Sequence, residues 1–395
     1  MSRRLSILEL RSVRGTGGGP EKTILFGAER ADRNRFRVTV CYLRDDRDDV
    51  FGIDGRAAAL DIDYVEVRER HSFDRSIWPA LKQLVRERAV DIVHGHDYKT
   101  NLLAWMLSRR LGVHALATSH GWTGHTTREL YFYYPIEKRL LARFERVIAV
   151  SSDIKANIVR AGGRPERIEV LLNAIDPDAF RRRPGDAGKI RATLDFKAGD
   201  FIIGAVGRLE PQKRFELLLD AFAPLALADP SMQLAIVGDG SCRHALEEQA
   251  IALGIRSHCR FLGHRTDVAF LHHAFDLFVQ SSEYEGTPNA VLEAMAMETP
   301  LVATDVGGTR DLARPGVEGL IVPPHSVPAL RAAIQEIKAD PAAARSRAMA
   351  ARARIESDLS FERRTRRLEG IYDDLARDRR EAAAPSAGAT QVRRA

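Results

Sequence analysis

The 395-residue chain is poor in cysteine: it has three, Cys41, Cys242 and Cys259, and none stands in a CxxC pair. An odd count without paired spacing excludes a disulfide scaffold and a cysteine-based zinc or redox centre. Reduced, buried thiols in a cytoplasmic protein are the simple reading. Aromatics make up only 7% of the residues, and no segment repeats at a period of roughly 20–50 residues, which excludes propellers, solenoids and collagen-like arrays. No apolar run approaches the ~20 residues of a membrane-spanning helix. Met1-Ser2-Arg3-Arg4 leads into a short strand-like run, not the apolar stretch of a signal segment.

An excess of one sign of charge is also lacking. Sixty Lys+Arg oppose 54 Asp+Glu, a formal net charge of +6, with acids and bases interleaved in most segments. A dedicated nucleic-acid binder gathers its excess into one stripe, so no nucleic-acid partner is expected. Anionic small molecules or an anionic membrane face are compatible with this balance.

With 45% hydrophobic and 29% charged residues, the composition is that of a globular protein, and the length accommodates two domains. Strand-like runs alternate with longer amphipathic stretches from Leu5 to Ile175. The runs are Leu5–Leu10, Arg37–Leu43, Tyr64–Arg68, Asp91–His96, Ala115–His120, Val147–Ser151 and Glu169–Asn173, with helical segments such as Ile77–Arg88 and Lys99–Leu111 between them. This is the pattern of a doubly wound parallel sheet. The alternation stops across Asp176–Asp186, where Pro177, Pro184 and Arg181-Arg182-Arg183 mark an interdomain linker. A second series follows at Phe201–Val206, Gln233–Val237, Arg260–Gly263, Leu277–Gln280, Leu301–Thr304 and Gly319–Val322. The expected α/β architecture is two Rossmann-like, doubly wound domains facing across a cleft, over residues 1–178 and 190–360. The stretch 379–395 reads as a disordered tail.

In open parallel sheets, ligands bind outside the carboxyl ends of the strands, and four strand-to-helix junctions carry chemistry. After the first strand, Arg14-Gly15-Thr16-Gly17-Gly18-Gly19-Pro20-Glu21-Lys22 places permissive backbone before a helix N-terminus, which suits an anion. Pro20 stands where GxGxxG needs glycine and no GK[ST] follows, which disfavours nicotinamide dinucleotides and P-loop nucleotides; a plain turn is the alternative. After the first strand of the second series, Arg208 leaves the strand end and Lys213 begins the next helix, so both cations can converge on a diphosphate; plain surface cations are the alternative.

The third junction is Ser281-Ser282-Glu283-Tyr284-Glu285-Gly286-Thr287-Pro288-Asn289-Ala290-Val291-Leu292-Glu293. Thr287 reads as an N-cap with Pro288 at the first helical position, leaving the Asn289 and Ala290 amides for a second anion. Glu293 lies about 7–8 Å further along the axis, at 1.5 Å per residue, and reaches the far part of the same ligand. Glu285 would sit beside that ligand; a solvated Glu285, with Glu293 supporting a helix face, is the alternative. The fourth junction combines Thr118-Ser119-His120-Gly121-Trp122 with His94-Gly95-His96-Asp97. A strand-end histidine can hydrogen-bond a hydroxyl or relay a proton; ordinary hydrogen-bonded histidines are the alternative. Without HExxH or a cysteine companion, no metal site is expected.

Arg208 with Lys213, the Glu285-x7-Glu293 segment and its Glu-Ala-Met-Ala run, Gly17-Gly18-Gly19, Leu172-Asn173-Ala174-Ile175-Asp176, Val237-Gly238-Asp239-Gly240 and Val306-Gly307-Gly308 form an ordered set. By these motifs the chain resembles the retaining glycosyltransferases of family 4 over about residues 5–377. The resemblance implies the GT-B fold, with a C-terminal helix at about 361–377 crossing back to the N-terminal domain. It implies transfer of a sugar from a UDP- or GDP-sugar to a glycan or lipid-linked acceptor in polysaccharide or glycolipid biosynthesis. Metal and cofactor are not needed, the nucleotide sugar being a co-substrate.

The same resemblance puts Arg208 and Lys213 on the pyrophosphate, Glu293 on the ribose hydroxyls, and Glu285 and His120 near the transferred sugar. Gly286, Thr287, Pro288, Asn289 and Ala290 would hold sugar and phosphate oxygens, Gly17, Gly18 and Gly19 would face acceptor and phosphate, and Gly238–Gly240 and Gly263–Arg265 would flank the base. Many members read Glu-Gly-Phe-Gly where this chain has Glu285-Gly286-Thr287-Pro288, so the identity of the sugar does not carry across. Nucleotide-sugar epimerisation, phosphorolysis and a non-catalytic nucleotide-sugar-binding role are the alternatives. Tyr131–Phe144 mixes aromatic, apolar and basic residues as an interfacial helix at an anionic membrane would; core packing of these aromatics is the simpler expectation.

Overall fold

The first series of strands forms one parallel sheet: β1 (Leu5–Ser12), β2 (Phe36–Asp45), β3 (Asp63–Glu69), β4 (Ile92–Gly95), β5 (His114–Ser119), β6 (Arg146–Ala149) and β7 (Ile168–Val170), in the order β3-β2-β1-β4-β5-β6-β7. A second parallel sheet holds β8 (Phe201–Val206), β9 (Met232–Val237), β10 (Cys259–Phe261), β11 (Leu277–Gln280), β12 (Leu301–Thr304) and β13 (Leu320–Val322), in the order β10-β9-β8-β11-β12-β13. This computed structural model describes residues 3–72, 74–122, 129–183 and 185–383, the side chains of 129–130 and 378–383 excepted.

Helices cover both faces of each sheet, which is why a central strand such as β8 (Phe201–Val206) is apolar throughout and not alternating. Around β8 and β9, for instance, Ile203, Leu234 and Ile236 pack with Leu218, Leu219 and Phe222 of the helix Phe215–Ala228. Strand ends shift by a few residues from the sequence reading because pairing sets them: β1 continues past Leu10 as Arg11 and Ser12 pair with Tyr42 and Leu43. In each sheet the strand order reverses once, between β1 and β4 and between β8 and β11. A crevice opens at such a switch point, at the carboxyl ends of the strands.

The connection between the sheets is pinned down. Arg182 donates to the carbonyls of Met297 (2.8 Å) and His272 (2.9 Å). The helix Asp186–Thr193 packs through Ile190 onto Ile202 and Phe275 of the second half, ahead of position 190. Pro184 lies outside the described residues. The chain returns beside its first crossing, Ile175 bridging Ser360. The helix Phe361–Ala383 then sets Leu368, Ile371, Tyr372 and Leu375, one face at helical spacing, on Ile7, Ile92, Leu116 and Ile148 of the first sheet. It runs past the expected end near 377 into the stretch read as tail; residues 384–395 lie outside the described ones.

Cys41 and Cys259 are buried, and burial pushes both thiols up to about 12; Cys242 is only partly buried. Core packing of the Tyr131–Phe144 aromatics holds for Phe144 but not for Tyr131 and Phe132, which are 73% and 62% exposed. Among the described residues, no helix is long and apolar enough to cross a membrane.

Candidate active site

The two switch points face one another across a cleft of about 970 Å³. Among the nominated residues that line it are Gly17, Gly18, Gly19 and His120 from the first half, and Arg208, Lys213, Glu285, Gly286, Thr287, Asn289, Ala290 and Glu293 from the second; Pro288 does not.

The glycine loop earns its composition locally. Gly17 has φ +66°, in the left-handed region, and Gly18 precedes the helix Gly19–Arg30, its amide donating to the Glu21 carboxylate. A side chain on Gly19 would collide with Asn289, so the start of this helix abuts the start of the helix Asn289–Ala296. Two helix N-termini therefore meet at one cleft.

At the second of these, the capping differs from expectation. Pro288, with ψ 107°, holds the cap position itself, and the Thr287 hydroxyl donates to the Val150 carbonyl. Thr287 thus ties one half to the other instead of capping. The Asn289 and Ala290 amides remain first in the helix, without an intrahelical acceptor.

Lys213 also departs from its expected place. It closes a single turn, Pro211–Lys213, and the following helix starts at Phe215, after Arg214 at φ +51°. Its Nζ lies 2.6 Å from Glu285 Oε1, which also accepts from Gln280 Nε2 (3.1 Å) and Ser282 Oγ (2.6 Å). Arg208 is exposed and forms no ion pair with any described residue. Glu293 is buried and takes Lys22 Nζ at 3.2 Å; burial pushes its carboxyl up, and Lys22 offsets part of that rise. Gly286 lies under His120: a Cβ there would stand 2.7 Å from the His120 carbonyl oxygen.

Gly238–Gly240 is not part of the cleft lining, contrary to its expected place beside the base. A side chain on Gly238 would strike the Gly207 carbonyl, and Leu209 donates to the Asp239 carbonyl at 2.9 Å, so this loop supports the one that carries Arg208. From the neighbouring loop, His264 and Arg265 do line the cleft.

The sequence reading missed three groups. Arg11 is paired with Glu21 at 3.0 Å and donates to the His96 carbonyl. Glu137, buried on the cleft wall, accepts from Asn101 Nδ2 and Trp122 Nε1, both at 2.9 Å, and burial pushes its carboxyl up to about 7. Glu9 meets His94 and His96, with ligand-type atoms of all three within 4.8 Å of one another. Hydrogen bonds occupy those atoms: His94 Nε2 contacts Thr118 Oγ1 at 2.7 Å and its Nδ1 contacts Tyr372 Oη at 3.1 Å. The signal for Glu9 was a carboxylate set among Ile7, Leu8 and Leu10 of β1.

The chain matches the family described as Glycosyltransferase Family 4 over residues 17–179, and that described as Glycosyl transferases group 1 over residues 186–355. A D-inositol 3-phosphate glycosyltransferase of Rhodococcus opacus is 31% identical over 291 residues, 69% of this chain and 64% of that protein. A glycogen synthase of Mycobacterium tuberculosis is 30% identical over 299 residues, 71% of this chain and 69% of that protein. The chain spans about two thirds of the length of these relatives. Among solved structures, HepE of Anabaena in complex with UDP-glucose superposes with a TM-score of 0.82 at 24% identity, over 94% of this chain and 100% of that one. Sucrose-phosphate synthase of Thermosynechococcus elongatus gives 0.80 at 21% identity, over 95% and 100%. The chain belongs to the family 4 glycosyltransferases and has their GT-B fold.

Proposed function

We propose that the chain transfers a sugar from a UDP- or GDP-sugar to the hydroxyl of a glycan or lipid-linked acceptor, with retention of configuration and without a metal or cofactor. The observation that carries this reading is the convergence of two helix N-termini, at Gly19 and Asn289, with Arg208 and Lys213 on one cleft. These four sources of positive potential suit a departing diphosphate. The HepE complex with UDP-glucose supports a nucleotide-sugar donor.

In this reading the diphosphate draws Lys213 from Glu285 and meets Arg208, while Glu293 accepts hydrogen bonds from the ribose. Glu285, still held by Gln280 and Ser282, stands beside the sugar together with His120. The bond between the anomeric carbon and the phosphate oxygen breaks as the acceptor oxygen bonds the same face, through an oxocarbenium-like state. The acceptor's proton passes to the departing phosphate oxygen, giving a glycoside and a nucleoside diphosphate. Contact between the halves excludes water from the reaction. Exposed Tyr131, Phe132 and Ile136, beside exposed Arg139 and Arg143, favour docking of the first half on the anionic inner face of the membrane, from the cytoplasmic side.

A thermal-shift panel of UDP, GDP and ADP compounds identifies the donor base, since only the matching nucleotide stabilises the fold strongly. Transfer is then measured with the corresponding sugars, with and without acceptor and chelator. Transfer only with acceptor, unchanged by chelator, supports the proposal. Epimerised donor without acceptor, phosphate-dependent cleavage, or binding without turnover would each replace it with one of the alternatives. Flotation with anionic vesicles tests the membrane contact, and protein left at the bottom of the gradient excludes it.

A further inference from the structure

Glu9 lies on the face of β1 that packs against the last helix, in line with Leu5 and Ile7. A carboxylate buried there is costly unless its oxygens find donors, and it finds three. The Tyr372 hydroxyl donates to Oε1, His94 Nδ1 lies 3.2 Å from the same oxygen, and His96 Nε2 contacts Oε2. The register of β1 and β4 sets Glu9 directly opposite His94, and His96 follows on the same face two residues later.

From His96 the contacts continue to the cleft. Its Nδ1 lies 3.4 Å from His120 Nε2, and the two rings stack with centroids 5.7 Å apart. His120 Nδ1 is buried and has no hydrogen-bond partner among the described residues, on a side chain that lines the cleft. An orphaned nitrogen of this kind is costly, and the cost is removed when a ligand hydroxyl reaches it.

The chain of contacts has a direction. A carboxylate only accepts hydrogen bonds, so His96 carries its proton on Nε2. A neutral His96 then offers a lone pair at Nδ1, which takes the Nε2–H of His120, and a neutral His120 is left with a lone pair at Nδ1. Burial keeps both rings neutral: His96 is pushed down to about 4, chiefly by burial and next by His94, and His120 well below its ordinary value by burial and then by Arg11. Burial alone would raise Glu9, but His94 and His96 outweigh it and hold it ionised.

We propose that Glu9 and His96 are positioning residues that fix His120 in its Nε2–H tautomer, presenting Nδ1 as an acceptor for a hydroxyl of the transferred sugar. The tautomer stands on the structure alone, and its use rests on the function proposed above. Glu9→Gln should reverse the chain. Tyr372 and His94 hold the amide oxygen on their side, the amide nitrogen faces His96, and the protons move to Nδ1 of both histidines.

The test is nitrogen-15 NMR of histidine-labelled full-length protein, with His120→Gln used for assignment. His120 should be Nε2–H in the wild type and in Tyr372→Phe, which disturbs the packing but keeps the carboxylate, and Nδ1–H in Glu9→Gln. With the donor found by thermal shift, kcat/KM should fall about tenfold in Glu9→Gln and not in Tyr372→Phe. An Nδ1–H His120 in the wild type, an unchanged tautomer in folded Glu9→Gln, or a stoichiometric metal on the Glu9–His94–His96 cluster would overturn the proposal. If Glu9→Gln does not fold, the wild-type spectrum decides alone. Predicted tautomers in a protein without transfer activity would refute the functional reading and leave the positioning chain standing.

Discussion

Lys22 of the first half and Glu293 of the second meet at 3.2 Å across the cleft, 271 residues apart in sequence. Glu293 is buried, and its carboxyl is already pushed up by burial and only partly restrained by Lys22. Removing Lys22 should therefore raise it further, and a protonated carboxyl is a poorer acceptor for ribose hydroxyls. In Lys22→Ala, nucleotide affinity measured by calorimetry should weaken on acidification, starting from a higher pH than in the wild type. Glu293→Ala should weaken binding at every pH and abolish that dependence.

Lys213 and Arg208 differ in what they hold before a ligand arrives. Lys213 neutralises Glu285, whereas Arg208 is exposed and has no ion pair with a described residue. Each substitution to Ala should lower transfer by about 10²–10³-fold, the usual scale for losing a group that meets developing charge. Arg208→Ala should leave unfolding free energy within about 0.5 kcal/mol of the wild type. Lys213→Ala should cost more, since it leaves the Glu285 charge to Gln280 and Ser282. Undiminished transfer in either variant would remove that cation from the proposed site.

Two glycines give opposite expectations. A Cβ on Gly286 would stand 2.7 Å from the His120 carbonyl oxygen, a backbone atom of the other half. Gly286→Ala should force the halves apart, seen as a larger radius of gyration in solution scattering together with reduced transfer. Gly27 lies inside the helix Gly19–Arg30 with nothing within 4 Å of its would-be Cβ. Gly27→Ala should stabilise the protein by roughly 0.5–1 kcal/mol, measured by chemical denaturation, with transfer unchanged.

Both sheets were legible because parallel strands buried on both faces read as apolar runs, and the switch points then placed the junctions that matter. Local rules misread Thr287 and Lys213. A Thr-Pro pair before an apolar helix satisfies the capping pattern, yet Thr287 is claimed by Val150 across the cleft, and only tertiary contact reveals that. Lys213 likewise sits in a single turn because Arg214 takes up a left-handed conformation that no periodicity announces. The Glu9 network was out of reach for the same reason: its members come from β1, β4, β5 and the last helix, with Glu9 and Tyr372 separated by 363 residues.

Glu137 gives the fold a pH dependence of defined sign. Burial pushes its carboxyl from 4.5 up to about 7, so the folded state holds this proton more tightly than the unfolded chain does. Stability from this group is fully present below about pH 4.5 and is lost as pH rises through about 7. At about 1.4 kcal/mol per pH unit, the loss is on the order of 3 kcal/mol. Glu137→Gln has no proton to lose. Its amide can be satisfied because Asn101 Oδ1 is buried without a partner among the described residues, and an Asn101 flip turns that oxygen toward the new donor while Trp122 Nε1 keeps an acceptor. The variant should equal or trail the wild type at about pH 5 and exceed it by on the order of 2–3 kcal/mol at about pH 8, in denaturant titrations at both values. A constant difference across that range would mean that Glu137 is ionised throughout.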